Sequence, residues 1–206
     1  MPIGRLHVIT DTRPGRDPLA IVAAAIEAGA PVVQVRGKEL SDRELYDLTC
    51  RVLELCVHGG ATCLVDDRLH VAVAAGAGGA HVGEHDLPVA AARRVLGNEL
   101  VLGATARAPE TALAHQRDGA TYLGVGPCYP TATKSGLPAL LGPAGVAQVA
   151  VAVDVPVIAI AGVTAPRIPE LLAAGAFGVA VIGAISTADD PHAATEELLR
   201  ALEKAP

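Results

Sequence analysis

Residues 6–16 read LHVITDTRPGR: a short apolar run stops at Thr10-Asp11 and passes at once into charges, a proline and one glycine. A β-branched run of this length, bounded by polar residues, is what a parallel strand covered on both faces looks like. In a dinucleotide-binding sheet the first strand would run into a G-x-G-x-x-G turn, and ITDTRPGR contains none. Polar residues at the C-terminal end of such a strand are instead what the βα loops of a closed barrel carry.

The same pattern recurs along the chain. VVQVR (32–36), TCLVD (62–66), AHVG (80–83), LVLGA (100–104), YLGVG (122–126), PVIAIA (156–161) and GVAVIG (178–183) read as seven further strands. Helical character fills the intervals at 18–28, 42–58, 70–75, 87–95, 109–118, 144–151, 166–174 and 192–204. Asp17 is a natural N-cap for the first of these, and Ser41 with Glu44 forms a capping box for the second. Glycine recurs just past helix ends, in AGAPV (28–32), AGAGGA (75–80), DGATY (118–122) and AGAFGV (174–179), which is the αβ-loop signature. Eight βα units in 206 residues leave about 26 residues per unit, close to the lower limit for closure. The expectation is a single α/β domain over 1–206, a (β/α)8 TIM barrel, with an open doubly wound sheet as the lesser option.

Composition narrows the function. The chain is 51% hydrophobic with only four aromatic residues, Tyr46, Tyr122, Tyr129 and Phe177, so the core is built from Ala, Val, Leu and Ile. A net charge of −6 without a Lys/Arg cluster, together with so few stacking rings, argues against nucleic acid. No apolar run reaches the roughly 18 residues of a membrane span, and MPIGRLHVITDTRPGR is unlike a secretion signal. Cys50, Cys56, Cys63 and Cys128 show no C-x-x-C spacing and read as buried reduced thiols. A soluble, cytoplasmic protein follows as the expectation; a homo-oligomer is compatible with the sequence, which does not fix the number of subunits.

Polar residues gather where a barrel places its chemistry, at the C-terminal strand ends. Gln34, Arg36 and Lys38, spaced by two, point to one face, and a Gln-x-Arg face toward apolar helices would be costly. Turned into the lumen near the rim, Arg36 and Lys38 make a site for phosphate or pyrophosphate, a salt-bridged rim pair being the alternative. Asp66, Asp67, Glu84 and Asp86 put four carboxylates at two adjacent strand ends. Hard oxygen ligands of this kind suit Mg²⁺, with Asp67 and Asp86 the better candidates if Asp66 and Glu84 face elsewhere; neutralisation by Arg68 and nearby basic groups is the alternative. The 18-residue connection GPCYPTATKSGLPALLGP (126–143) offers Thr131, Thr133 and Lys134 to phosphate oxygens, though it is not a P-loop. The glycines of Ala161-Gly162-Val163 and Ile182-Gly183-Ala184 permit close backbone approach to a second phosphate, or simply tight packing. His7, His58, His81 and His115 fall into no metal spacing and read as packing or surface residues.

QVRGK (34–38), DDRLHVAVAAGAGGAHVGEHDLP (66–88), GPCYPTATKSG (126–136) and AIAGV (159–163) together resemble one family over essentially the whole chain: thiamine phosphate synthase, with its thiazole tautomerase relatives. The resemblance implies a (β/α)8 transferase that joins an aminopyrimidinylmethyl diphosphate to hydroxyethylthiazole phosphate, giving thiamine phosphate and pyrophosphate. In that family the reaction is viewed as dissociative and assisted by Mg²⁺. Carried over by position, Asp67 and Asp86 would ligate the metal, and Gln34 would lie near the pyrimidine and diphosphate. Arg36, Lys38, Thr105 and Lys134 would be catalytic. Asp66 and Thr105 would bind substrate, and Thr131, Thr133, Gly162, Ile182 and Gly183 would hold the thiazole phosphate. Three positions depart from the family's usual residues: Asp66 replaces Asn, Glu84 replaces Gln, and Thr105 replaces Ser. The two added carboxylates should weaken diphosphate binding unless protonated, paired with Arg68, or used on the metal. The alternatives are a tautomerase-like isomerase, whose strand-six loop commonly carries a proton-shuttling His where this chain has Cys128 and Tyr129, and a non-catalytic binder of thiamine precursors.

Overall fold

The computed structural model describes residues 3–133, 136 and 138–203. Eight parallel strands close into a barrel in sequence order: β1 (Leu6–Ile9), β2 (Val32–Val35), β3 (Thr62–Asp66), β4 (Gly79–Val82), β5 (Val101–Ala106), β6 (Tyr122–Val125), β7 (Val157–Ile160) and β8 (Gly178–Val181). Closure is made by β1 against β8, with Val8 opposite Val181. The helices are α1 (Pro18–Glu27), α2 (Asp42–Gly59), α3 (Leu69–Ala75), α4 (Val89–Leu96), α5 (Pro109–Arg117), α6 (Gly142–Ala150), α7 (Ile168–Ala173), α8 (Gly183–Ser186) and α9 (Pro191–Glu203). The closed-barrel expectation holds, and the open sheet is set aside.

Alternation along each strand divides the apolar residues into two cores. Val8, Val33, Val65, Leu102, Leu123 and Val179 point outward to the helices, which bring stripes such as Leu45, Val52 and Cys56 of α2. Ile9, Val32, Leu64, Val101, Ile158 and Ala180 point inward and pack around Tyr122. Cys56, Cys63 and Cys128 are buried free thiols, whereas Cys50 is only half-buried.

Tyr122 carries the one aromatic ring of this inner core, and its neighbours are cut to fit it. A Cβ at Gly103, on the adjacent strand β5, would run into the Tyr122 ring and hydroxyl. Gly124 leaves similar room for His81, whose Cε1 would lie 3.0 Å from an added Cβ. His7 meets the Tyr122 ring edge-on at 5.0 Å between centroids. Its Nε2 sits 3.1 Å from the Gly4 carbonyl, which can only accept, so this nitrogen carries the proton of the neutral ring.

The caps follow the residues expected to make them. Asp17 accepts from the amides of Leu19 and Ala20, and Ser41 and Glu44 complete a reciprocal capping box. Two features differ from the sequence reading. The segment expected as a helix over 166–174 opens as a 3-10 turn (Ala165–Arg167), because Pro169 has no amide to donate to the Ala165 carbonyl, which accepts from the Ile168 amide instead. The extra four-residue helix α8 follows β8 directly; too short for periodicity to show, it is a single turn in a loop.

Gly103→Ala should therefore destabilise the fold by roughly 1–3 kcal/mol through overpacking against Tyr122, read as a lower urea midpoint with unchanged m-value. A second expectation concerns acid. Burial lowers the His7 pKa from 6.5 to about 3. Below pH 6.5 the unfolded chain takes up a proton that folded His7 refuses, so this contribution is intact above pH 6.5 and is lost as pH falls toward 3. The difference in stability between wild type and His7→Gln should then change by about 1.4 kcal/mol per pH unit between pH 6 and 4, measured by denaturant unfolding.

Candidate active site

A cavity of about 670 Å³ opens at the C-terminal ends of the strands. Its walls bring together nearly all the residues singled out from the sequence: Gln34, Arg36 and Lys38 from β2 and its loop, Asp66, Asp67, Glu84 and Asp86 from β3, β4 and their loops, and Thr105 from β5. Thr131, Thr133, Gly162, Ile182 and Gly183 line the other side. Lys134 lies outside the described residues.

Inward alternation on β2 puts Gln34 in the lumen, where its amide donates to the Tyr122 hydroxyl at 3.4 Å. Thr10 at the end of β1 fixes the next step of that strand: its hydroxyl donates to the Arg36 carbonyl at 2.9 Å and accepts from the Arg36 amide at 2.8 Å. The Arg36 side chain then meets Asp66 at 3.2 Å. Lys38 pairs with Asp67. Arg68 turns away to Asp42 of α2, at 3.2 Å, so of the basic groups that the sequence offered as neutralising partners Arg36 and Lys38 pair with the site carboxylates and Arg68 does not. Asp66 faces the lumen beside Arg36.

The carboxyl groups are unequal. Burial, reinforced by the neighbouring Asp67 charge, pushes Asp66 up to about 7 despite Arg36 and Lys38. Burial and a hydrogen bond to Asp86 raise Asp67, while burial acting on Asp86 is outweighed by its bonds from Asp67 and from the Gly83 amide, which hold it low. The Gly83 amide is 2.7 Å from Asp86 Oδ2. Burial works against the Lys38 ammonium, but Asp67, Asp66 and Asp86 outweigh it and hold its pKa above the ordinary value. Asp67 also adopts a left-handed backbone, φ 63°, which non-glycine residues reach at a cost of about 1–3 kcal/mol. Ala161 at the opposite rim does the same, φ 75°.

Asp67 and Asp86 are close enough to shift each other's ionisation, Asp67 upward and Asp86 downward, and a small cation between two such carboxylates would offset their repulsion. Among the described residues no group of three or more His, Cys, Asp or Glu could hold a metal. Two carboxylates are nevertheless what Mg²⁺ takes from protein when substrate phosphates complete its shell. The donor set therefore fits that ion, and Asp67 and Asp86 are the residues that could hold it.

The floor was not legible as a site. His81, read from sequence as packing, stands in the lumen with Nδ1 3.0 Å from the Tyr122 hydroxyl and Nε2 3.0 Å from Thr105 Oγ1. Burial lowers its pKa to about 4, so near neutral pH the ring is uncharged. Its position in β4 shares inward parity with Gly79 and Gly83, a signal present in the sequence. Arg13, Arg107 and Arg167 also line the cavity, and nothing in their local sequence marks them.

On the far side the long connection between β6 and α6 is tied down at both ends. Arg107 donates to the Gly126 carbonyl at 2.8 Å and the Ala139 carbonyl at 2.9 Å, and the Leu141 amide donates to Pro127. Thr131 and Thr133 share a hydroxyl contact of 2.9 Å, and an added Cβ on Gly183 would lie 3.2 Å from the Thr133 methyl. The Thr133 methyl thus packs at the end of β8 beside the first turn of α8, where the Gly183 and Ala184 amides have no intrahelical acceptor. Asp11 secures that turn from below: it accepts from Ser186 Oγ at 2.6 Å and from Arg13, whose guanidinium first among its neighbours lowers its pKa to about 2. Removing that brace by Ser186→Ala should raise the pKa of Asp11 toward the ordinary carboxylate value, measurable by NMR titration, with small loss of stability.

Residues 6–185 match the family described as thiamine monophosphate synthase. A thiamine-phosphate synthase of Salinispora arenicola is 59% identical over 97% of this chain and 98% of its own length. One from Haloquadratum walsbyi is 44% identical over 95% of this chain and 88% of that protein. Among solved structures, the thiamine phosphate pyrophosphorylase of Pyrococcus furiosus superposes with a TM-score of 0.89 at 35% identity, covering 97% of this chain and 96% of the other.

Proposed function

The chain belongs to the thiamine monophosphate synthase family, and from that premise we propose that it joins a 4-amino-2-methylpyrimidin-5-ylmethyl diphosphate to hydroxyethylthiazole phosphate, releasing pyrophosphate. One observation carries the reading: a single cavity has cationic side chains on one wall and threonine hydroxyls with close-approach glycines on the other. Arg36 and Lys38 stand at the β2 end, while Thr131, Thr133, Gly162 and Gly183 stand at the β6, β7 and β8 ends, across a barrel closed in sequence order. A reaction between two phosphorylated substrates needs both walls and a gap between them.

The diphosphate oxygens take the places of Asp66 and Asp67 on Arg36 and Lys38. As the methylene C–O bond breaks, both electrons leave with pyrophosphate, and these cations meet the charge that develops there. Asp67 and Asp86 would hold Mg²⁺, which when bound supplies further charge stabilisation to the diphosphate. The pyrimidine lies over the floor of Gln34, His81 and Thr105. Because His81 is neutral, no cation on that floor opposes the positive charge appearing on the methylene carbon. Thr131 and Thr133, with the backbone at Gly162 and Ile182-Gly183, hold the thiazole phosphate so that the thiazole nitrogen lone pair closes the new C–N bond, while Lys134 joins Arg36 and Lys38 on the leaving pyrophosphate. No protein nucleophile or base is consumed. The cytoplasm, where small phosphorylated precursors are made, is part of this proposal; no described helix is long and apolar enough to cross a membrane.

The tautomerase reading draws no support from the strand-six loop. Cys128 is buried with its Sγ on the Val125 carbonyl, and the Tyr129 hydroxyl is spent on Glu170. Neither side chain lines the cavity.

Purified protein with both substrates and Mg²⁺ should form thiamine phosphate and pyrophosphate in equal amounts, and neither substrate alone should release pyrophosphate. Arg36→Met and Lys134→Ala should each lower kcat/KM by about 100-fold or more, as expected for removing a donor to developing charge. Asp86→Asn should raise the Mg²⁺ concentration needed for half-maximal rate. Asp66→Asn frees Arg36 without removing a cation, so activity should hold or rise; a severe loss would give that carboxylate a role of its own. No product from the wild-type protein would overturn the assignment.

A further inference from the structure

Arg167 sits outside every role assigned above, yet it touches both backbone arms of the proposed thiazole-phosphate wall. It ends the 3-10 turn after β7 and lines the cavity. One guanidinium nitrogen donates to the Gly162 carbonyl at 2.5 Å. The central carbon of the same group lies over the Tyr129 ring, 4.4 Å from its centroid. Tyr129 is in turn held by its hydroxyl, which donates to Glu170 Oε1 at 2.5 Å, and Glu170 follows on α7.

The two arms are in direct contact beneath this clamp. The Cys128 and Tyr129 amides donate to the Ile160 and Ala161 carbonyls, so the loop begins as a continuation of β6 alongside β7. At Gly162, φ 66°, an added Cβ would lie 2.5 Å from the Pro130 carbonyl oxygen and 2.7 Å from Tyr129 Cβ. Thr131 is the next residue in the loop. Any slip of Tyr129 relative to Gly162 therefore moves the hydroxyls of Thr131 and Thr133 relative to the backbone they share a ligand with.

We propose that Arg167, sandwiched between the Gly162 carbonyl and the Tyr129 ring, is a positioning residue that sets the spacing of the two arms gripping the thiazole phosphate, and so tunes affinity for that substrate alone. The proposal rests on the substrate assignment made above. A planar group is required, since one guanidinium stacks on the ring while its edge donates to the carbonyl; an ammonium keeps the charge but cannot do both.

The test is steady-state kinetics on the full chain with each substrate varied in turn. Arg167→Met should raise KM for the thiazole phosphate by about tenfold or more while KM for the pyrimidine diphosphate stays within about twofold. Arg167→Lys should remain within about threefold of the Met variant. Tyr129→Leu should reproduce the Arg167→Met split. Thermal midpoints taken in parallel separate this from general loosening. Equal rises in both KM values, an unchanged thiazole-phosphate KM, or full rescue by Lys would each overturn the inference. Because the wild-type protein is assayed alongside, absence of any thiamine phosphate would count against the reaction, whereas an active wild type with an unsplit Arg167→Met would count against the clamp alone.

Discussion

The upper half of the barrel depends on one buried ring. Tyr122 reaches across the lumen because Gly103 leaves a gap on the neighbouring strand, and its hydroxyl is the point where Gln34 and His81 converge. Burial holds that hydroxyl protonated far above the ordinary range, so the centre of the barrel is a neutral network. A chain with only four aromatic residues has placed one where a smaller side chain would leave a void. Above the ring the lumen turns polar and becomes a binding cavity; below it, His7 and aliphatic side chains fill the space. The floor is thus at once the top of the inner core and the bottom of the site, and packing faults in one would be felt in the other.

Electrostatics on the β2–β4 side follow a different logic. Arg36 and Lys38 are held at the rim by Asp66 and Asp67, so the proposed diphosphate site is formed in advance with carboxylates as stand-ins. Such pairs cost desolvation and return little net stability. Their value lies in preorganisation: long side chains that would otherwise sample many rotamers are already aimed into the cavity when an anion arrives. Backbone strain at Asp67 and Ala161 belongs to the same account, since both positions stand at the rim of the cavity.

Strand positions were legible because the βα alternation is regular and glycine marks the helix ends; boundaries moved by only one or two residues. The inward parity of Gln34 and Arg36 could be read because a polar face against apolar helices would be costly. His81 has the same parity, but a lone histidine between apolar residues has no such cost to betray it. Partnerships were harder still. Arg36, Lys38 and Arg68 stand at or just beyond the ends of the neighbouring strands β2 and β3, and only the fold decides that Arg68 goes to Asp42 while the other two go to Asp66 and Asp67. The single-turn helix α8 is shorter than any periodicity can detect. Arg107 and Arg167 act on carbonyl oxygens, which every residue possesses, so no side-chain pattern points to their partners.

Ring closure joins the first strand to the last: Leu6–Val8 pair with Val179–Val181, and Arg5 reaches the Phe177 and Leu202 carbonyls. During synthesis β1 leaves the ribosome first, and its second neighbour emerges some 170 residues later. Until then the growing sheet has two open edges, and an incomplete barrel offers ladder groups to any passing strand. The contacts that end this exposure are also those of greatest sequence separation, which makes them the slowest to form. Safe passage of the nascent chain is therefore governed by its last quarter, where the aliphatic strand β8 and helix α9 seal a seam that β1 alone holds open.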